Sequence, residues 1–527
     1  MRAYYKAILL AVLLAGLALC FAISQIYLTP ISWDEGWNFC VAKNLVQHSH
    51  FGCSILGQLT TPRLANSWLP IVTAAAGFKL FGLDYVAGRV FITLLTLLAV
   101  FVLARVARGF SGARAAIATV IILLLLSAEA RLHPLIIGSQ VWGEMPMVLC
   151  VGLGFLLLAA AVKLDGVKAL GAVLAASVFF GVALQTKVQL QPFWFLAMGG
   201  TTVFLVLRSA KREAALFLMV LLGSYWCWHH AYPPLPSVMV ATDLGAGTID
   251  AKATLGWVTA FDVRKLNFMF ALEQGWFLIL ALLYLGFRFV ADGFKFKSLK
   301  DQRLNGVFLA LFLLVCGWLA WFILLAVDFA RYLAPPLILG APLIAYVLSE
   351  LSGDFDFKGC ALRLKALLLG PPRVLKKLLV AGGLGLGLLH VVLVAGGLSK
   401  GIVYAAQHQS NSDMIAMAEY INSQTPVDSV IETYETMLFF MLQRPFHYPA
   451  DQVSIESIKY RYAASGARSS AVYNPLSANP AYVLVGPWGK DVFHIYDELV
   501  KSDEVIIDKV IGGFTLYRVE KPVDLLD

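Results

Sequence analysis

Charge is what this chain has least of: Asp, Glu, Lys and Arg make up 14% of its 527 residues, against 59% hydrophobic. Soluble proteins carry roughly 45–50% apolar and ~25% charged residues, so a soluble globular fold is excluded. Internal repeats and low-complexity segments are missing, and no spans in two matching halves are broken by Gly or Pro. These absences argue against a transporter built from inverted repeats. Cysteine is sparse: of seven, only Cys40 and Cys53 lie together outside the long apolar runs. They can form one bridge or remain two thiols.

What is abundant is long apolar sequence. Runs able to cross a ~30 Å hydrocarbon core lie near 7–29, 86–107, 112–130, 143–163, 168–186, 190–207, 213–230, 272–290, 305–326, 331–349 and 378–398. That makes about eleven spans of a polytopic α-helical membrane protein. The stretch 66–81 is apolar but short, and the basic residues decide its reading. If it lies along the membrane surface as an interfacial helix, then Arg2/Lys6, Arg105/Arg108/Arg114, Lys163/Lys168, Arg208/Lys211/Arg212, the cluster from Arg288 to Arg303 and that from Arg363 to Lys377 all share one side. This is the positive-inside pattern. The net charge of +8 therefore requires no nucleic acid as partner. The first run has no small-residue cleavage site before Trp33 and reads as a retained anchor. The expected topology has a cytoplasmic N-terminus in a bacterial inner membrane. On the outer face it leaves the first loop (30–85), a turn at 131–146, a loop at 232–270, and everything after Ser399.

Residues 399–527 change character and read as a soluble extracytoplasmic α/β domain beside a membrane domain of 1–398. The tail carries helices at 412–423, 437–442 and 491–501, and strands at 429–434, 482–486, 505–510 and 514–519. It holds no GxGxxG, P-loop or zinc-ligand spacing, so no nucleotide cofactor is expected there.

The chemistry-bearing candidates lie on the outer face. Asp34 and Glu35 are adjacent carboxylates just past the first span, a natural position for a general base. The bland reading makes Asp34 a helix cap and Glu35 a dipole partner. Glu144 opens the fourth span, where it can be a solvated end, orient an acceptor, or hold a divalent metal if one is used. Lys187 can snorkel or bind phosphate, and Arg331 can pair with Asp328 or bind phosphate. His133 reads as structural. Trp226, Trp228, His229 and His230 read as an interfacial aromatic belt.

Taken in order, Trp33-Asp34-Glu35, Gly57, Thr61-Pro62-Arg63-Leu64, Lys79-Leu80-Phe81-Gly82, Ala87-Gly88-Arg89, Gly143-Glu144-Met145-Pro146, Thr186-Lys187 and Arg331-Tyr332-Leu333-Ala334-Pro335 resemble the C-type (GT-C) membrane glycosyltransferases. The protein O-mannosyltransferases and bacterial lipid A aminoarabinose transferases are the nearest in pattern. The resemblance covers about residues 1–350. It implies an inverting transferase that moves a sugar from a polyprenyl-phosphate carrier to a lipid, glycan or protein acceptor on the outer face. Asp34, Glu35 and Glu144 would be catalytic, and Arg63, Lys187, Arg331 and Tyr332 would bind the donor phosphate. One departure is Thr61-Pro62 where aminoarabinose transferases have Lys-Pro, with Arg63 one position beyond. The competing class is a lipid-linked sugar flippase without transfer chemistry.

Overall fold

The computed structural model describes residues 16, 19–59, 68–127, 129–230, 261–326, 329–356, 358–359, 361–362, 385, 387–400, 403, 410–449, 453, 473–492 and 494–520. The membrane part comprises α1 (Leu19–Leu28), α2 (Trp33–His48), α3 (Trp68–Phe81), α4 (Tyr85–Ser111), α5 (Ala113–Leu124), α6 (Pro134–Ile137), α7 (Glu144–Ala161), α8 (Gly166–Thr186), α9 (Leu190–Leu207), α10 (Lys211–His230), α11 (Phe261–Ala291), α12 (Asn305–Leu324), α13 (Ala334–Ser352) and α14 (Gly387–Lys400), with a small hairpin of β1 (Ser54–Ile55) and β2 (Gln58–Leu59) after α2. The tail holds α15 (Ser410–Gln424), β3 (Ile431–Thr433), β4 (Phe446–His447), β5 (Tyr482–Val485), β6 (Val505–Ile511) and β7 (Phe514–Val519).

Seven helices among the described residues are long and apolar enough to cross a membrane; of the eleven expected runs, those at 7–29 and 378–398 lie partly outside the described residues, and the run at 112–130 forms a shorter helix. Its apolar residues make only the short α5, which ends at Leu124 and gives way to a turn and a short 3-10 helix, Ala130–Leu132. A hydropathy window counts residues but does not see where the helix stops. α3 is also short: at ~1.5 Å per residue it extends roughly 21 Å, less than a ~30 Å core. It lies instead against α4, and a Cβ on Gly77 would come within 2.0 Å of the Ala87 carbonyl oxygen. That contact requires glycine.

Local chemistry sets the ends of the helices that carry the site. Ser32 caps α2, its Oγ accepting the Glu35 N–H, and the helix stops where Ser49 turns left-handed at φ 54. Asp84 caps α4 and Gly112 closes it. α13 opens with Pro335 and Pro336 in its first turn, where the missing N–H costs no helical bond.

In the tail the strand order is β4-β3-β5-β7-β6, with β3 parallel to both neighbours and β5-β7-β6 antiparallel. α15 covers one face through Met414, Met417, Ala418 and Ile421, all buried. The expected helix at 437–442 is a 3-10 turn, Thr436–Leu438, followed by further turns. The expected helix at 491–501 breaks into a π turn, Trp488–Val492, and a 3-10 turn, Leu499–Lys501, because His494 sits at φ 53. That backbone conformation ends an α-helix.

The tail buries only part of a core of its own. Trp37, Phe39, Val41, Ile71 and Phe78 from the first loop share one hydrophobic cluster with Met437, Phe439, Phe440, Phe446 and Tyr448 from the tail. α2 is buried nearly all round, and at Gly36 a Cβ would lie 2.3 Å from the Met437 Cα. The Cys40–Cys53 pair is a disulfide, with Cα atoms 5.4 Å apart, which ties the segment just after α2 back to the helix.

Candidate functional site

Asp34 and Glu35 leave the first turn of α2 in different directions. Glu35 is fully buried, and both of its oxygens meet Arg89 of α4, at 2.8 Å to Nε and 2.6 Å to Nη2. Its Oε1 also accepts the Val141 N–H at 3.1 Å. Arg89 in turn donates to the carbonyls of Ile26, at 2.9 Å, and Thr29, at 2.7 Å, which α1 leaves unpaired at its end. One buried pair thus fastens α1, α2, α4 and the 139–143 segment. With both oxygens engaged in this way, Glu35 is sealed within the packing of α1, α2 and α4.

Asp34 points to a more open place. It forms an ion pair with Arg331, and the two side chains are 18% and 24% exposed. The Arg331 guanidinium lies over the rings of Trp142, Phe329 and Tyr332 at 5.3, 5.9 and 5.7 Å. Trp142 is held by its Nε1 donating to Ser32 Oγ at 2.8 Å, the same hydroxyl that caps α2. Arg331 and Tyr332 sit on a 3-10 turn, Ala330–Leu333. Trp318 of α12 fixes that turn through a 3.1 Å bond from its Nε1 to the Tyr332 carbonyl.

The same tyrosine ring joins a second pair. Lys187, extended at the end of α8, places its Nζ 5.7 Å from the Tyr332 centroid and 2.5 Å from Glu144 Oε1. Both side chains are nearly inaccessible, and the second Glu144 oxygen has no hydrogen-bond partner. Asp34, Arg331, Tyr332, Lys187 and Glu144 therefore form one chain of contacts drawn from α2, the turn before α13, the end of α8 and the start of α7. Such a group can hold an anion between two cations beside a carboxylate. Arg63 and Asp328 lie outside the described residues. His133 is buried, contacting the Leu124 carbonyl at 3.2 Å and accepting the Leu135 N–H, which caps α6. Trp226 is exposed and stacks on His230. Among the described residues no group of three or more His, Cys, Asp or Glu could hold a metal ion.

Trp142 and the structural role of Arg89 escaped sequence reasoning. A signal existed for Arg89: an arginine amid the apolar residues of α4 needs a buried partner. For Trp142 there was none.

The tail meets the site at the start of α2. Trp33 Nε1 donates to the Tyr434 carbonyl at 3.1 Å, and the Thr436 hydroxyl donates to the Trp33 carbonyl. Between them Glu435 is buried and accepts the N–H groups of Gly489, at 2.7 Å, and Trp488, at 3.4 Å. Burial pushes its carboxyl up to about 7, although these N–H bonds oppose the rise. Nearby, buried Glu432 is satisfied by His447 at 2.5 Å, Tyr473 at 2.6 Å and Tyr496 at 3.1 Å.

No family model and no curated protein matches the chain by sequence. Solved structures do match it. ArnT from Cupriavidus metallidurans bound to undecaprenyl phosphate superposes with a TM-score of 0.58 at 14% identity, covering 96% of this chain and 97% of that one. The apo form of the same ArnT gives 0.56 at 14% identity with the same coverage. The oligosaccharyltransferase AglB from Archaeoglobus fulgidus, in complex with an inhibitory peptide and a dolichol-phosphate, gives 0.50 at 12% identity over 97% of this chain and 75% of that one. The similarity spans both the helical bundle and the tail, and the chain has the GT-C fold found in membrane glycosyltransferases.

Proposed function

We propose that the protein is an inverting glycosyltransferase that moves a sugar from a polyprenyl-phosphate carrier to a hydroxyl acceptor at the end of the bundle bearing Asp34. The observation that carries this reading is the Asp34–Arg331 pair with Lys187–Glu144 across the same Tyr332 ring. In the reaction the acceptor oxygen bonds to the anomeric carbon while its proton passes to Asp34. The bond from that carbon to the phosphate oxygen breaks, its electron pair leaves with the phosphate, and Arg331 and Lys187 balance the charge. Arg331 shifts from the carboxylate toward the phosphate as the donor enters, which frees Asp34 to act as base. Glu144 positions Lys187. The carriers held by ArnT and by the archaeal oligosaccharyltransferase, undecaprenyl phosphate and dolichol-phosphate, support a lipid-phosphate donor here.

The distribution of basic residues supports a reaction on the extracytoplasmic side of the membrane, with the tail on that side. The contacts of Tyr434 and Thr436 with Trp33 favour a tail that helps select the acceptor.

The test is a mass-spectrometric glycan profile of a strain lacking the protein, complemented with wild type or with Asp34→Asn. A glycan lost in the deletion, restored by wild type and not by the variant at equal expression, supports transfer. Full restoration by Asp34→Asn removes this base and favours a flippase.

A further inference from the structure

At the end of the bundle opposite Asp34, α4 and α7 line an open cavity of about 640 Å³ together with the loop before α12. Both helices run from the candidate site to this cavity: at ~1.5 Å per residue, roughly 28 Å separates Arg89 from Arg108, and a similar length separates Glu144 from Lys163. Four cations line it, Arg105, Arg108, Lys163 and Lys300, against the single carboxylate of Asp301. That carboxylate is already occupied by Lys163 at 3.1 Å and Arg303 at 3.1 Å. Lys300 has only a loose, exposed pairing with Asp354 at 3.7 Å. Among the described residues, neither the Arg105 nor the Arg108 side chain has a hydrogen bond or an ion pair. They stand three positions apart on one helix face. The rest of the wall is apolar, including Phe155, Leu156, Ala159 and Val307.

Basic residues at this end also serve topology and complement the C-terminal end of α4. Neither role requires two unpaired guanidinium groups above an apolar hollow between helices. We infer that this cavity is a binding site for a phosphate-bearing lipid, with its headgroup on Arg105 and Arg108 and an acyl chain against Phe155, Leu156 and Ala159. The site is separate from the proposed transfer chemistry and does not depend on it. A planar fork suits a phosphate oxygen pair, and each basic residue near the membrane surface adds attraction for an anionic headgroup.

The test uses full-length protein in nanodiscs and native mass spectrometry, counting retained phosphatidylglycerol against phosphatidylcholine. Wild type should retain the anionic lipid with a preference on the order of tenfold. Arg105→Gln/Arg108→Gln should lose that preference, whereas Lys211→Gln/Lys295→Gln, which removes the same charge from exposed positions outside the cavity, should keep it. Ala159→Phe fills the apolar wall without changing charge and should also reduce retention, so the result does not rest on the arginine variant folding. Equal loss in the two charge variants, or unchanged retention in both cavity variants, would overturn the site. Displacement of the bound lipid by millimolar inorganic phosphate alone would overturn the lipid assignment in favour of a free anion.

Discussion

Two neighbouring carboxylates in one helical turn meet opposite environments. Glu35 faces inward, where it and Arg89 have no solvent exposure, while Asp34 faces Arg331 in a pair that water still reaches. The difference teaches how to separate framework from chemistry. A sealed pair with every oxygen engaged can only hold elements together, because opening it exposes a bare charge to a medium that cannot solvate it. A half-open pair can exchange partners at lower cost.

The comparison breaks most visibly if the framework is damaged. Arg89→Ala leaves Glu35 buried without its cation, strips the Ile26 carbonyl of its side-chain donor and leaves the Thr29 carbonyl with Asn411 alone. It should cost about 3–5 kcal/mol, read as a lower melting temperature in detergent and poor recovery. Near-wild-type melting would show that Glu35 is not sealed as described. Asp34→Asn should do the reverse, melting like wild type while turnover falls by roughly 10²-fold or more. If the two variants behaved alike, the division between the carboxylates would fail. Lys187→Gln, measured by donor titration, should weaken apparent donor binding about tenfold. A change confined to stability would return Lys187 to a packing role.

The smallest effect on turnover is expected at Glu435→Gln, behind the start of α2, and its signature is in pH. With the folded carboxyl raised to about 7 from an ordinary 4.5, the folded state holds the proton more tightly than the unfolded one. The stabilising contribution is fully present below pH 4.5 and is lost as pH rises through about 7. Melting followed across that window should decline in wild type and decline less in the variant. Identical profiles would remove Glu435 from the pH dependence.

Parts of this could be read from local sequence and parts could not. The strands at 482–485, 505–511 and 514–519 match the expected ones closely, because alternation and the Gly512-Gly513 turn are local signals. The helix expected at 491–501 is instead a π turn and a 3-10 turn on either side of His494 at φ 53, a left-handed backbone that the residue types around it do not announce. Of the site, Asp34, Glu144, Lys187, Arg331 and Tyr332 were legible as chemistry-bearing residues at the ends of apolar runs. Their mutual contacts were not. The sequence alternative that paired Arg331 with Asp328 falls outside the described residues, and the structure gives Arg331 a partner in Asp34.

What the sequence determined alone was the class and the candidate positions. The apolar share of the chain rules out a soluble fold whatever its topology, and a charged residue at the end of an apolar run invites attention without knowledge of its neighbours. Tertiary structure decided which carboxylate is sealed, which cation faces it, and that the first loop and the tail share one core. Successive residues on a helix point ~100° apart, so adjacent side chains in Asp34-Glu35 can enter different surroundings. What occupies each direction is set by α4, α7 and the turn before α13, segments whose approach to α2 leaves no trace in the residues around it.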